Sequence, residues 1–337
     1  MRIVSAQVVF AFIALFCNDV TASHDDSEEP PLLLLISFDG FGWDFLDHLR
    51  YSGKPTPNFD RLRDNGVFVQ QGVENNFMTV TWPNHYAIVT GLFAESHGIV
   101  TNDMYDAKAD LHFYHKDQGN RTMPFWFSAG SETYEGFPEP IWLTNSKARD
   151  VDNSTRDGRR YSGVVNWPVG IQTTGMEPDA YVYDWGLNFT ARADDLIEFF
   201  VRDKNPTNFG LLYYPEPDHT SHHEGPFSAK THDKIVELDT TLGYIINKLE
   251  DHGLFSKMNL IVTADHSQVG VSGTIKIDEH VNASWYDSFG SSGPVWNIRP
   301  LDGRTACVGA RKKFLKKPPT KKFIFGVSRV PRMTLPL

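Results

Sequence analysis

Three apolar runs of this chain share one design, and nothing else in the sequence limits its fold as much. Leu32 to Phe38 (LLLLISF) runs straight into Asp39. Phe209 to Tyr214 (FGLLYY) is followed by Pro-Glu-Pro and Asp218, and Leu260 to Ala264 (LIVTA) runs into Asp265 and His266. Apolar runs without alternation suit strands buried on both faces, as in parallel sheets. Helical patterns lie between them. Pro57 to Asn65 has Thr56 as a cap, proline at its first position and Gly66 as its stop. Thr231 to His252 sets Ile235, Leu238, Leu242, Ile245 and Leu249 on one face, and Ala191 to Asp203 is a third helix. Strands alternating with helices predict an α/β fold whose mostly parallel central sheet carries helices on both faces. Ligands of such sheets bind beyond the carboxyl ends of the strands, where all three acids fall. Lys108 to Asp179, rich in Gly, Pro and Trp, reads as a long elaborated connection or a small subdomain on that side.

The candidate ligands are therefore Asp39, Asp218, His222, Asp265 and His266. Carboxylate oxygen with imidazole nitrogen, and no thiolate, fits a catalytic zinc. The four-residue spacing of Asp218 and His222 lets one helical turn present both to a single ion. A lone D-x-x-x-H is mostly noise, but three acids at three strand ends make the metal reading the stronger one. Thr81 opens "TWPNHYAIVTG", where Pro83 fits the first turn of a helix. A helix start can simply be capped by threonine. It can also bind a phosphate, and a metal can activate a threonine hydroxyl as nucleophile.

The net charge of −10 argues against a nucleic-acid polymer as partner. Arg2, the apolar core Val8 to Cys17 and the small residues near Ala22 read as a signal peptide over 1–22, with an acidic leader over 23–31. Sequons at Asn120, Asn153, Asn188 and Asn282 agree with secretion to the extracellular side. Without Cys17 the mature chain keeps only Cys307, which leaves no intramolecular disulfide. No second apolar run reaches eighteen residues, so no membrane anchor is encoded in this chain. From Arg304 to Arg332 there are ten Lys or Arg and no acid. Residues 307–337 thus form a basic tail after a catalytic region over 32–306.

"LLISFDGFGWDF", "TVTWPNHYAIVTGLFAESHGIVTNDMYD", "PEPDHTSHHEGP" and "VTADHS", in this order, resemble the nucleotide pyrophosphatase/phosphodiesterase family of the alkaline phosphatase superfamily. The similarity runs from Leu32 to about Arg304 and is nearest to the single-domain members, as "EPIWLTN" supports. The resemblance implies an alkaline-phosphatase-like fold and two zinc ions. It assigns one ion to Asp39, Thr81, Asp265 and His266, and the other to Asp218 and His222. It makes Thr81 the nucleophile of a covalent intermediate on a nucleotide or other phosphodiester. It gives Asn102 a phosphate oxygen to bind, and Trp82, with Tyr181 opposite, the nucleobase.

Two departures stand out. The family's further histidine on the second zinc, from a Gly-x-His-Gly-Tyr-Asp-like motif, has no counterpart before Leu337. The expectation is a catalytic region incomplete at its C-terminus, with a second ion short of one ligand that His219, His223 or His280 would have to replace. Ser267-Gln268-Val269 also stands where the family has Gly-Met. An inert glycoprotein of the same fold, acting as a binding module, is the alternative to an enzyme.

Overall fold

The computed structural model describes residues 31–106, 111–114, 138–151, 160–168, 177–271, 273, 276–279, 282–289 and 297–301. In chain order the elements are β1 Leu32–Phe38, α1 Phe45–Tyr51, α2 Pro57–Asn65, α3 Thr81–Thr90, α4 Ala94–His97, β2 Asp103–Asp106 and β3 Leu111–Tyr114. There follow α5 Ile141–Val151, β4 Ser162–Val165, β5 Ala180–Val182, α6 Phe189–Val201, β6 Phe209–Tyr214 and α7 Asp218–Glu224. Then come α8 Ala229–Asp251, β7 Met258–Thr263, β8 Tyr286–Phe289 and β9 Asn297–Pro300.

The central sheet runs β5-β4-β6-β1-β7, with every pairing parallel. Phe38 pairs with Tyr214, and Ser37 with Thr263, so β6, β1 and β7 end at one level. The predicted runs are these three neighbouring strands. Each drives its acid out of the same edge of the sheet. One face of β1 (Leu34, Ile36, Phe38) packs with α1, α2, α6 and α8 in the larger core. The other face meets α3 and α5 through Trp82, Tyr86, Val89 and Trp142. Apolar residues on both faces of one strand need helices on both sides, as expected.

Local chemistry moves several boundaries. Asn188 accepts from Ala191 N, and Ser228 accepts from Thr231 N, so α6 and α8 each begin two residues before the sequence pattern does. Thr56 makes no side-chain cap at α2. The buried carboxylate of Asp239, on α8, instead accepts from Asn58 N and Phe59 N, capping one helix from another.

The reading of 108–179 as a connection is corrected. Ser162–Val165 is a fully buried strand of the central sheet, between β5 and β6. Its SGVV carries too little apolar bulk to signal a strand. Packing requires that smallness, since a Cβ on Gly163 would lie 2.7 Å from the Phe199 ring.

Candidate metal centre

The turn after β1 builds the site. Gly40 adopts φ +66, and its N–H donates to Asp265 Oδ1 at 3.0 Å. Asp39's carbonyl accepts from Asp218 N, also at 3.0 Å. One peptide group thus ties the ends of β6 and β7 to that of β1. A Cβ on Gly40 would lie 2.9 Å from Asp218 Cβ, so only glycine lets Asp218 come this close.

Asp39, Asp265 and His266 bring their ligand atoms within 4.8 Å of one another. His266 Nε2 lies 3.4 Å from Asp39 Oδ1 and 3.2 Å from Asp265 Oδ2. Those two buried oxygens have no hydrogen-bond partner among the described residues. His266 Nδ1 faces the Ser267 carbonyl at 3.2 Å. A carbonyl only accepts, so Nδ1 donates to it, and Nε2 is the ring atom aimed at both oxygens, the one whose lone pair a cation would use. Three electron-rich atoms facing one point, two of them buried and unpaired, are the donor set of a cation.

Without a cation the carboxylates repel one another. Burial, with the charges of Asp265 and Asp218, pushes Asp39 well above the carboxylate range, although Tyr213 donates its hydroxyl to Asp39 Oδ2. Burial likewise lifts Asp265 to about 8, helped by Asp218 and resisted by the Gly40 N–H.

Asp218 and His222 stand one turn apart on α7, with His222 Nε2 3.3 Å from Asp218 Oδ2. Burial would raise Asp218, but the hydrogen bond from His222 and the charges of His266 and His222 hold it below its ordinary value. His222 is raised in return, chiefly by that hydrogen bond. His219 and His223 are exposed on the same short helix, with ring centroids 5.2 Å apart. His280 lies outside the described residues.

Thr81 is the first residue of α3, with Val80 at the cap position and no side-chain cap bond there. Thr81 is therefore not the helix cap. Asn84 secures the approach instead, donating to the carbonyls of Met78 and Val80 and accepting from Asn76 N. Asn102 Oδ1 accepts from Trp82 N at 2.9 Å, which sets Asn102 at the helix mouth. Trp82 is only 6% exposed, within the core cluster of α3 and α5. Tyr181 sits on β5 in register with Val164, hence on the same face of the sheet, with 45% of its surface open.

His85 was not foreseen. It lies four residues after Thr81, fully buried, and its Nδ1 is 2.9 Å from the Thr81 carbonyl and 3.4 Å from Asp265 Oδ2. Its Nε2 is 2.9 Å from Ser37 Oγ. Burial lowers it to about 3, so the ring is neutral, donating from Nδ1 and accepting from Ser37. One imidazole thereby joins α3 to β1 and to Asp265. A histidine at i+4 from Thr81 was the signal available in the sequence.

Three strand-end acids, a histidine beside two unpaired oxygens and a threonine at a helix start agree with a sequence comparison. The profile described as type I phosphodiesterase / nucleotide pyrophosphatase matches residues 33–315. The chain belongs to this family. Human ectonucleotide pyrophosphatase/phosphodiesterase family member 5 is 36% identical over 301 residues, covering 88% of this chain and 57% of that protein. Bis(5'-adenosyl)-triphosphatase of Pongo abelii is 34% identical, covering 87% and 60%. The chain thus spans less than two thirds of the length of these relatives. An inactive threonine-to-alanine variant of murine ectonucleotide pyrophosphatase/phosphodiesterase 5, solved in complex with AMP, superposes with a TM-score of 0.70 at 36% identity. That match covers 83% of this chain and 68% of the other. The alkaline-phosphatase-like α/β fold is shared with these family structures.

Proposed function

We propose that this chain is a secreted, zinc-dependent phosphodiesterase that hydrolyses nucleotide phosphodiester or pyrophosphate bonds through a covalent threonine intermediate. The observation that carries the reading is the pair of unpaired buried oxygens, Asp39 Oδ1 and Asp265 Oδ2, facing His266 Nε2. Asp39, Thr81, Asp265 and His266 would hold one ion, and Asp218 and His222 the other. When bound, two zinc ions offset charge on the attacking and leaving oxygens of an in-line displacement.

The protein's own groups do the rest. Thr81 Oγ forms a bond to phosphorus while the bond to the leaving oxygen breaks, and the hydroxyl proton passes through solvent to the departing group. Water then takes the phosphorus from Thr81 and restores the hydroxyl, so one water is consumed. Asn102, whose Oδ1 is engaged by Trp82 N, keeps its NH₂ for a phosphate oxygen. Trp82 offers a nucleobase little ring surface, and Tyr181 offers more. The relatives' names support nucleotide substrates: one is a bis(5'-adenosyl)-triphosphatase, and another was solved with AMP.

Export rests on the signal peptide read over 1–22, which lies outside the described residues, and on the sequons. Asn188 and Asn282 are exposed, and each uses its carbonyl oxygen to accept a backbone N–H, leaving the amide nitrogen for a glycan. Asn120 and Asn153 lie outside the described residues. No helix among the described residues is long and apolar enough to cross a membrane.

Thr81→Ala should cut hydrolysis of a dinucleotide about a thousandfold or more with unchanged melting, and Thr81→Ser should recover part of the rate. Full turnover in the alanine variant would remove Thr81 as nucleophile. Zinc content decides between enzyme and inert module. Near two ions per chain favours the enzyme. One or none favours the module, and the 69% exposure of the His222 side chain is the observation on that side.

A further inference from the structure

Gln268, three residues beyond Asp265, reaches across the site to α7. Its amide nitrogen donates to Asp218 Oδ1 and, at 3.3 Å, to the Asp218 carbonyl. Its amide oxygen accepts from the hydroxyl of Ser221, a buried residue. The orientation of this amide is fixed by its partners, because a carboxylate can only accept and must therefore face the NH₂ end. With Oδ1 engaged, Oδ2 is the oxygen left facing His222 Nε2 at 3.3 Å. Gly40 flanks the other side of Asp218, where an added Cβ would lie 3.0 Å from Oδ1. The aim of this carboxylate therefore depends on one side chain from a different strand end.

We propose that Gln268 is a positioning residue for the Asp218/His222 cation site. It anchors Asp218 Oδ1, so that Oδ2 and His222 Nε2 face a common ion, and it braces α7 against the loop that carries Asp265 and His266. The proposal rests on the two-cation reading given above. Partners that hydrogen-bond a ligating carboxylate set its orientation, and their loss typically costs ten- to a hundredfold in metal affinity. A plain structural strut would act differently, lowering the stability of the metal-free protein and loosening both ions or neither.

The test uses the full chain in zinc titrations against a chromophoric chelator, which give stepwise dissociation constants, alongside thermal melts of the metal-free protein. Gln268→Met keeps the length of the side chain and removes the N–H donor, and Gln268→Leu removes both the donor and the reach. In both variants the second ion should bind about ten- to a hundredfold more weakly while the first is unchanged. Second-ion affinity equal to wild type in both would overturn the proposal and leave the two-cation reading standing. Equal weakening of both ions with a lowered metal-free melt would also overturn it, in favour of the strut. A wild-type chain that binds no second ion would overturn both readings together.

Discussion

The two halves of the site are built in different ways. Asp39, Asp265 and His266 lie directly beyond β1 and β7, with side chains 3%, 0% and 8% exposed. Asp218 and His222 ride on a seven-residue helix beyond a Pro-Glu-Pro link, 17% and 69% exposed. The inner half has its geometry imposed by sheet hydrogen bonds, the Gly40 turn and a neutral His85. The outer half is aimed by single side chains. Burial holds like charges together without solvent in the inner half, so a cation placed there would be held tightly, and leaving the position empty is costly. The outer half pays neither way.

Replacing one ligand in each half gives the largest test of this difference. Asp265→Asn should remove the first ion outright, and with it turnover, while the metal-free protein melts no lower than wild type, because a crowded carboxyl has gone. His222→Ala should weaken the second ion and shift metal-free stability by less than about 0.5 kcal/mol, as expected of an exposed position. Zinc titration with melting of both variants checks this. Tight two-zinc binding in Asp265→Asn would erase the distinction.

His85→Leu tests where the inner rigidity originates. It leaves the Ser37 hydroxyl buried without its ring partner and releases the first turn of α3, at a cost of about 1–3 kcal/mol in denaturant unfolding. First-ion affinity should fall with it, and the second-ion constant should move less. A stability equal to wild type would show that the sheet alone holds the inner half.

The last test is in pH. Asp265 of the metal-free fold sits near 8 instead of 3.8. A raised carboxyl stabilises the fold fully below its ordinary value, and that contribution is lost as pH climbs toward 8. The melting temperature of metal-free protein should therefore fall between about pH 5 and 8. Zinc added at pH 7 in weak buffer should release protons, since ligating carboxyls must be ionised. No proton release, read by an indicator dye, would mean that Asp265 is already charged.

The strongest signals in the sequence were those the chain repeats. LLLLISF and FGLLYY marked β1 and β6, because strands buried on both faces must be apolar throughout. The run ending at Asp265 marked β7, which is not buried on both faces, since Asn259 and Ile261 are exposed. Together they set the level of the sheet where the acids emerge. Helical spacing set Asp218 and His222 on one turn, but only the other strand-end acids turned that pair into a candidate cation site. β4 was hidden because Gly163 had to be small beneath Phe199, and smallness resembles a loop. His85 and Gln268 were hidden for another reason. Their roles come from partners 48, 180 and 50 residues away, and no local pattern encodes such contacts. Asp239 as the cap of α2 is a third case: the capping group arrives from another helix.

The peptide between Asp39 and Gly40 offers its C=O to the chain bearing Asp218 and its N–H to the side chain of Asp265. Two ions held as proposed would share that one rigid plane, so whatever occupancy of one position does to its tilt is felt at the other. Thermodynamic linkage makes the exchange symmetrical: the factor by which the first ion changes the affinity for the second equals the factor in reverse. Under scarce zinc a positive factor would sort the population into empty and doubly filled molecules, and activity would then follow zinc supply more steeply than in simple proportion.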